Sequence, residues 1–133
     1  MKIIEVVAAI VVNDGEILCA QRGKNKLDYL SEKFEFPGGK LESDETLEQA
    51  LAREIREELD MSISVDRLLL TVEHVYPDFK IIMHSFICYT QSRVLLLNEH
   101  LQVLWLGVNE LDSLDWAAAD LPIVDQLIKE LER

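Results

Sequence analysis

The hydrophobic pattern divides the chain into short β-like runs and two helical stretches. Ile3 to Val12 is apolar at both parities, the pattern of a strand covered on both faces. Asn13-Asp14-Gly15 is a hairpin-turn signal, and Glu16–Gln21 reads as the returning strand. Residues 22–35 read as a polar loop, punctuated by Phe36-Pro37-Gly38-Gly39. Ser43 and Asp44 are candidate helix N-caps, Glu45 suits an acidic first turn, and nothing breaks a helix before Leu59. Ser62–Tyr76 and Lys80–Thr90 are two β-rich runs joined by Pro77-Asp78. The second is apolar at both parities and reads as a central strand. Val103–Val108 is a further short strand. A last helix is expected from near Asp120, with Pro122 in its first turn and Ile123, Leu127, Ile128 and Leu131 as its apolar stripe. Two helices within a mostly β chain whose strands are covered on both faces predict an α/β fold, an α/β/α sandwich around a mixed β-sheet.

Residues 1–133 are expected to form a single domain, with enough chain for a core without staples. No apolar run approaches the roughly 20 residues of a bilayer span, and the start, Met1-Lys2-Ile3-Ile4-Glu5, does not read as a signal peptide. Cys19 and Cys88 lie in apolar strands and read as reduced core thiols, so a cytoplasmic location is expected. A net charge of -12 excludes a protein whose main task is gripping a nucleic-acid polymer. Monomer and homodimer both remain open.

The acids are not evenly spread. Residues 42–60 hold eight of them against Arg53 and Arg56, a net -6 and half the total charge. On a helical wheel, Leu47, Leu51, Ile55 and Leu59 form a buried stripe. Glu54 and Glu58 lie at its border, Glu57 lies just beyond, and Arg53 lies on the far side of Glu57. Carboxylates gathered beside buried surface repel one another where water screens poorly. A solvated acidic face balanced by arginines would produce the same pattern. A hard divalent cation, Mg²⁺ or Mn²⁺, would relieve the repulsion. An EF-hand is excluded, because no loop places acids at alternate positions around a central Gly. His74, His84 and His100 lack zinc-ligand spacing and read as structural or surface residues. Trp105 and Trp116 read as core.

Gly39, five residues, Glu45, seven residues, then Arg53-Glu54-Ile55-Arg56-Glu57-Glu58-Leu59-Asp60-Met61 resembles the Nudix box, the signature of the Nudix hydrolase superfamily. Every defined position matches except a late Gly, replaced by Asp60. The resemblance covers essentially the whole chain. It implies that Glu54, Glu57 and Glu58 bind metal with the Gly38 carbonyl, that Arg53 orients Glu54, and that Glu45 holds loop and helix together. Gly38 and Gly39 suit a close backbone approach to metal and phosphate.

The segment Phe34-Glu35-Phe36-Pro37-Gly38-Gly39-Lys40 resembles the MutT-like branch, which hydrolyses nucleoside triphosphates to monophosphate and pyrophosphate. Ile4–Ile10 and Ala119-Asp120-Leu121-Pro122 resemble members of that branch that act on CTP. The branch implies a further acid on a flexible loop, Glu99, as metal ligand or general base. It also implies substrate contacts from Arg22, Phe36, Lys40, Phe79 and Asp120. Asp120 stands where an amide reads 8-oxoguanine in this branch, and it could equally cap the last helix. Phe79 stands where a basic residue is usual. Cytidine nucleotides and modified or oxidised nucleotides such as 5-methyl-dCTP and 8-oxo-dGTP are therefore the expected substrates. Hydrolysis of a nucleoside diphosphate sugar or a dinucleotide is the alternative within enzymes. A non-catalytic nucleotide-sensing domain is the alternative outside them.

Overall fold

In the computed structural model, which describes residues 1–131, one mixed sheet carries a helix on each face. The strands are β1 (Lys2–Asn13), β2 (Glu16–Arg22), β3 (Phe34–Glu35), β4 (Gly38–Lys40), β5 (Ser64–Val75), β6 (Phe79–Tyr89) and β7 (His100–Leu106). The helices are α1 (Leu47–Leu59) and α2 (Leu121–Leu131). The sheet runs β3-β2-β1-β6-β5, with β4 also on β1 and β7 on β2. Only β1 and β6 pair in parallel among the strand pairs of the described residues; the other pairs are antiparallel. That makes the sheet mixed, as expected.

Strand alternation builds two cores. Val7, Ala9 and Val11 of β1 pack with Leu51, Ile55 and Leu59 of α1 on one face. Ala8 and Ile10 pack with Ile123, Val124 and Leu127 of α2 on the other. β6 is the central strand that its two-sided apolar pattern required. Asp14 and Gly15 both have positive φ, 52° and 77°, which gives the β1–β2 turn the twist of a tight hairpin. Cys19 and Cys88 are buried free thiols in separate cores, so they cannot pair.

Several local expectations are corrected. The α1 N-cap is Thr46, not Ser43 or Asp44: its side chain accepts from the Gln49 N–H while the Gln49 side chain returns to the Thr46 N–H. Glu45 therefore lies ahead of the helix, and Glu48 is the first-turn acid. Residues 22–35 are not simply a polar loop, since Leu27, Tyr29 and Leu30 pack on the core and Phe34–Glu35 is a strand. The strand expected over Val103–Val108 starts earlier, at His100, and ends at Leu106. In α2, Leu131 is exposed and Val124 is buried in its place.

The sheet forks where the functional residues gather. β1 pairs with β2 near the turn, at Val12–Ile17, but with β4 further back, at Val6–Ala8. β2 meanwhile leaves β1 and pairs with β3 at Ala20 and Gln21. Phe36-Pro37 bridges the fork, and the Pro37 carbonyl accepts from the Ala9 N–H at 2.8 Å. A cleft of about 680 Å³ opens there.

Candidate functional site

Helix α1 delivers its carboxylates in three environments. Glu58 is only 3% exposed, Glu54 is largely buried, and Glu57 is exposed. Glu54 and Glu58 line the cleft with Gly38, Gly39, Lys40 and Glu99. Glu57 is not among the cleft-lining residues; it faces Arg53 from the outer side, at 3.2 Å.

Arg53 is the organiser expected for Glu54. Its Nη1 donates to Glu54 Oε1 at 2.9 Å, and its Nε and Nη2 grip both oxygens of Glu45 at 2.6 and 3.0 Å. Nη2 also donates to the Lys40 carbonyl at 3.1 Å. Glu45 accepts the Glu42 N–H as well, so one carboxylate joins the loop to the helix. The Arg53 hydrogen bond is the main reason the Glu45 carboxyl is held below the usual carboxylate range. Gly39 is needed because a Cβ there would strike the Glu54 carboxylate. Gly38 is needed because a Cβ would strike the Val7 carbonyl across the β1–β4 pair.

The end of α1 also explains Asp60. It adopts the left-handed conformation, φ 51° and ψ 44°, and its N–H closes on the Arg56 carbonyl. The next free carbonyls are satisfied by the loop before β7. Leu96 N–H donates to Leu59 O, Asn98 N–H to Glu58 O, and the Asn98 side chain to Glu57 O. The loop carrying Glu99 was expected to be flexible. These three hydrogen bonds fasten it to α1 and set the exposed Glu99 beside the cleft.

Two residues beside Glu58 were not foreseen. Glu35 of β3 and His100 of β7 converge on Glu58. His100 Nε2 lies 2.9 Å from Glu35 Oε2 and 3.7 Å from Glu58 Oε1. The other oxygen of Glu35 accepts from Arg22 Nη1 at 2.8 Å. Glu35, Glu58 and His100 bring ligand atoms within 4.8 Å of one another, a group able to hold a metal ion. His100, expected to be a structural or surface residue, is buried and lines the cleft. Glu35 stands between Phe34 and Phe36, both buried, and that alternation was the available signal. Burial, followed by the charge of Glu35, pushes the Glu58 carboxyl up to about 9; contact with Glu54 and the Glu99 charge act in the same direction.

The opposite wall is apolar and aromatic. Phe36 stacks on Trp116 with centroids 4.6 Å apart, and Phe79 lies 5.1 Å from Tyr76. Tyr76 was not foreseen; it is buried, it lines the cleft, and its hydroxyl accepts the Ala119 N–H. Arg22, Lys40 and Phe79, expected to contact substrate, all line the cleft. Asp120 is 4% exposed and lines it too, directly before α2. Its Oδ1 accepts the Phe36 N–H at 3.0 Å, so it ties the β3–β4 bridge to the helix start. Burial and the Glu35 charge hold the Asp120 carboxyl well above its ordinary range, against the opposing Phe36 N–H and Arg22.

Known proteins share this fold. The NUDIX domain family model matches residues 2–127. A CTP pyrophosphohydrolase of Escherichia coli is 36% identical over 125 residues, 94% of this chain and 91% of that protein. An 8-oxo-dGTP diphosphatase of Haemophilus influenzae is 33% identical over 133 aligned positions, covering 97% and 94%. The solution structure of a DNA mismatch repair protein MutT (family Nudix hydrolase) from methicillin-resistant Staphylococcus aureus is 41% identical, with a TM-score of 0.74 and coverage of 98% and 99%. The chain belongs to the NUDIX domain family and is a Nudix hydrolase of the MutT-like branch.

Proposed function

We propose that this hydrolase cleaves nucleoside triphosphates to monophosphate and pyrophosphate, acting on cytidine nucleotides or modified and oxidised ones. One observation carries the reading. A single cleft joins the buried carboxylates of α1 to an aromatic pocket that ends on the buried Asp120. That matches a substrate with a metal-bound polyphosphate at one end and a base at the other. The names of the two relatives, one acting on CTP and one on 8-oxo-dGTP, support the same range.

The donor set fits a hard divalent cation. Glu58 is buried beside Glu35 and Glu54, and a cation would favour its ionised form. Glu54, Glu58 and Glu99, with the Gly38 carbonyl, would hold Mg²⁺ or Mn²⁺ within the cleft, and Glu57 would join them by turning its side chain away from Arg53. When bound, the ion would neutralise charge on the phosphates as the pyrophosphate bond breaks. Arg53 keeps Glu54 fixed through one oxygen. Glu54 or Glu99 can take the proton of the attacking water, since both carboxylates face the cleft. Arg22, paired with Glu35 beside the acids, and Lys24 both line the cleft and offer positive charge to the phosphates. Lys40 lines the same rim.

At the other end, Phe36, Tyr76 and Phe79 supply apolar surface for a base or sugar. Asp120 supplies the polar contact. Burial disfavours the ionised form of this carboxyl, and a carboxyl that takes up a proton donates as well as accepts, so it can read a ring N–H or carbonyl as well as an exocyclic amine. The test is pyrophosphate release with Mg²⁺ from CTP, dCTP, 5-methyl-dCTP, dGTP and 8-oxo-dGTP. Preference for a cytidine or oxidised nucleotide is expected. Preference for a sugar nucleotide or a dinucleotide, with none of the five turned over, would overturn the proposal.

A further inference from the structure

We propose that His100 is a positioning residue, whose imidazole fixes Glu35 between two donors and so sets both the phosphate-facing Arg22 and the surroundings of Glu58. The inference rests on the hydrolase reading above. Its role follows from where Glu35 stands.

Glu35 lies between the two halves of the site. Through Oε1 it holds Arg22, on the cleft wall that faces phosphate. Through Oε2 it accepts from His100. Both of its oxygens are therefore occupied by donors, which hold it in place beside Glu58. His100 is buried to 4% side-chain exposure. Its Nδ1 has no hydrogen-bond partner among the described residues, so the ring's polar engagement runs through Nε2 alone. The ring is placed by its backbone: it opens β7, directly after the loop that Asn98 clasps onto α1. It also pairs with Arg22 across the β2–β7 ladder, at the point where a register shift re-aims β2. One short stretch, Asn98 to His100, thus sets three carboxylates: Glu99 directly, Glu58 through the helix end, and Glu35 through the imidazole.

Without the imidazole, Glu35 would keep only Arg22. Its freed oxygen would compete for the cation or repel Glu58, and Arg22 would follow it. Both nucleotide and metal binding should then weaken, more than the chemical step does.

The experiment compares wild type with His100→Met, which keeps volume without a donor, and His100→Gln, whose amide N–H₂ reaches as far as Nε2. Mn²⁺ binding is read by electron paramagnetic resonance without nucleotide, and KM and kcat are read with CTP and Mg²⁺. For His100→Met, KM should rise about 10-fold and Mn²⁺ affinity fall about 5- to 10-fold, the scale of one lost charge-assisted hydrogen bond, with kcat falling less than about 3-fold. His100→Gln should recover most of both losses. In a Glu35→Ala background His100→Met should add little, because the two residues act as a unit. Losses that add independently of Glu35, or His100→Met binding within twofold of wild type, would overturn the inference. A loss confined to kcat, or a switch from Mn²⁺ to Zn²⁺ preference with His100 intact and lost on substitution, would also overturn it by making His100 a direct ligand. Absence of pyrophosphate release by wild type would instead defeat the hydrolase reading, while the Mn²⁺ measurement would still judge His100.

Discussion

Replacing Glu58 by Gln should stabilise the metal-free protein while disabling the enzyme. Glu58 is 3% exposed and faces Glu35, Glu54 and Glu99, which pushes its carboxyl from 4.5 up to about 9. A carboxyl whose pKa is raised on folding contributes stability that is fully present below 4.5 and is lost as pH rises toward 9. Each pH unit across that window removes at most ~1.4 kcal/mol, so the bound at pH 8 is ~5 kcal/mol. One side of the group opens on a wet cleft, so a net cost of about 1–2 kcal/mol is expected at pH 8. Glu58→Gln keeps the shape and removes the titration, and the neighbouring carboxylates can accept its N–H₂. The melting temperature in a metal chelator should therefore rise by roughly 3–8 °C at pH 8.5 and by much less at pH 5.5. Millimolar Mg²⁺ should reverse the order, because only wild type gains binding free energy on folding. Turnover should fall by at least about 100-fold. A variant that is less stable than wild type in chelator at pH 8.5, or a gap that does not change with pH, would refute the electrostatic reasoning.

Other outcomes follow from the same geometry. Asp60→Gly should raise stability by about 0.5–1 kcal/mol in chemical denaturation without altering KM, since Asp60 holds a left-handed conformation that glycine adopts freely. Gly39→Ala should lower kcat/KM by about 100-fold or more while the far-UV circular dichroism is retained, because the new Cβ displaces Glu54. Asp120→Asn should change the kcat/KM ratios among CTP, 5-methyl-dCTP, dGTP and 8-oxo-dGTP by roughly 5- to 150-fold. Unchanged ratios would leave Asp120 as the clamp on the Phe36 N–H alone. Asn98→Ala should lower Mg²⁺ affinity in thermal melts by freeing the Glu99 loop from the Glu57 carbonyl.

The parts legible in the sequence are those with local periodicity. The α1 stripe, the two-sided β1 and β6 and the Asp14-Gly15 turn all depend on neighbours within a few residues. The acids of α1 were legible as a group because a helix places them on one arc. Their inequality was not, since burial of Glu58 and exposure of Glu57 depend on which side of α1 the sheet fork lies. The α1 cap was misplaced because Ser43, Asp44 and Thr46 are all good caps, and only Thr46 has Gln49 three residues on to close the box. Glu35 and His100 are 65 positions apart and meet only through the β2–β3 and β2–β7 pairings. Nothing in a one-dimensional pattern brings them together. Asp120 looked like a helix cap, yet its hydrogen bond goes 84 positions back to Phe36.

The most direct measurement is of the products formed from CTP and 8-oxo-dGTP with Mg²⁺, by phosphorus nuclear magnetic resonance, with and without chelator. Equal amounts of nucleoside monophosphate and pyrophosphate, formed only with the metal, are expected. Release of orthophosphate and a nucleoside diphosphate, or turnover that persists in chelator, would contradict the account.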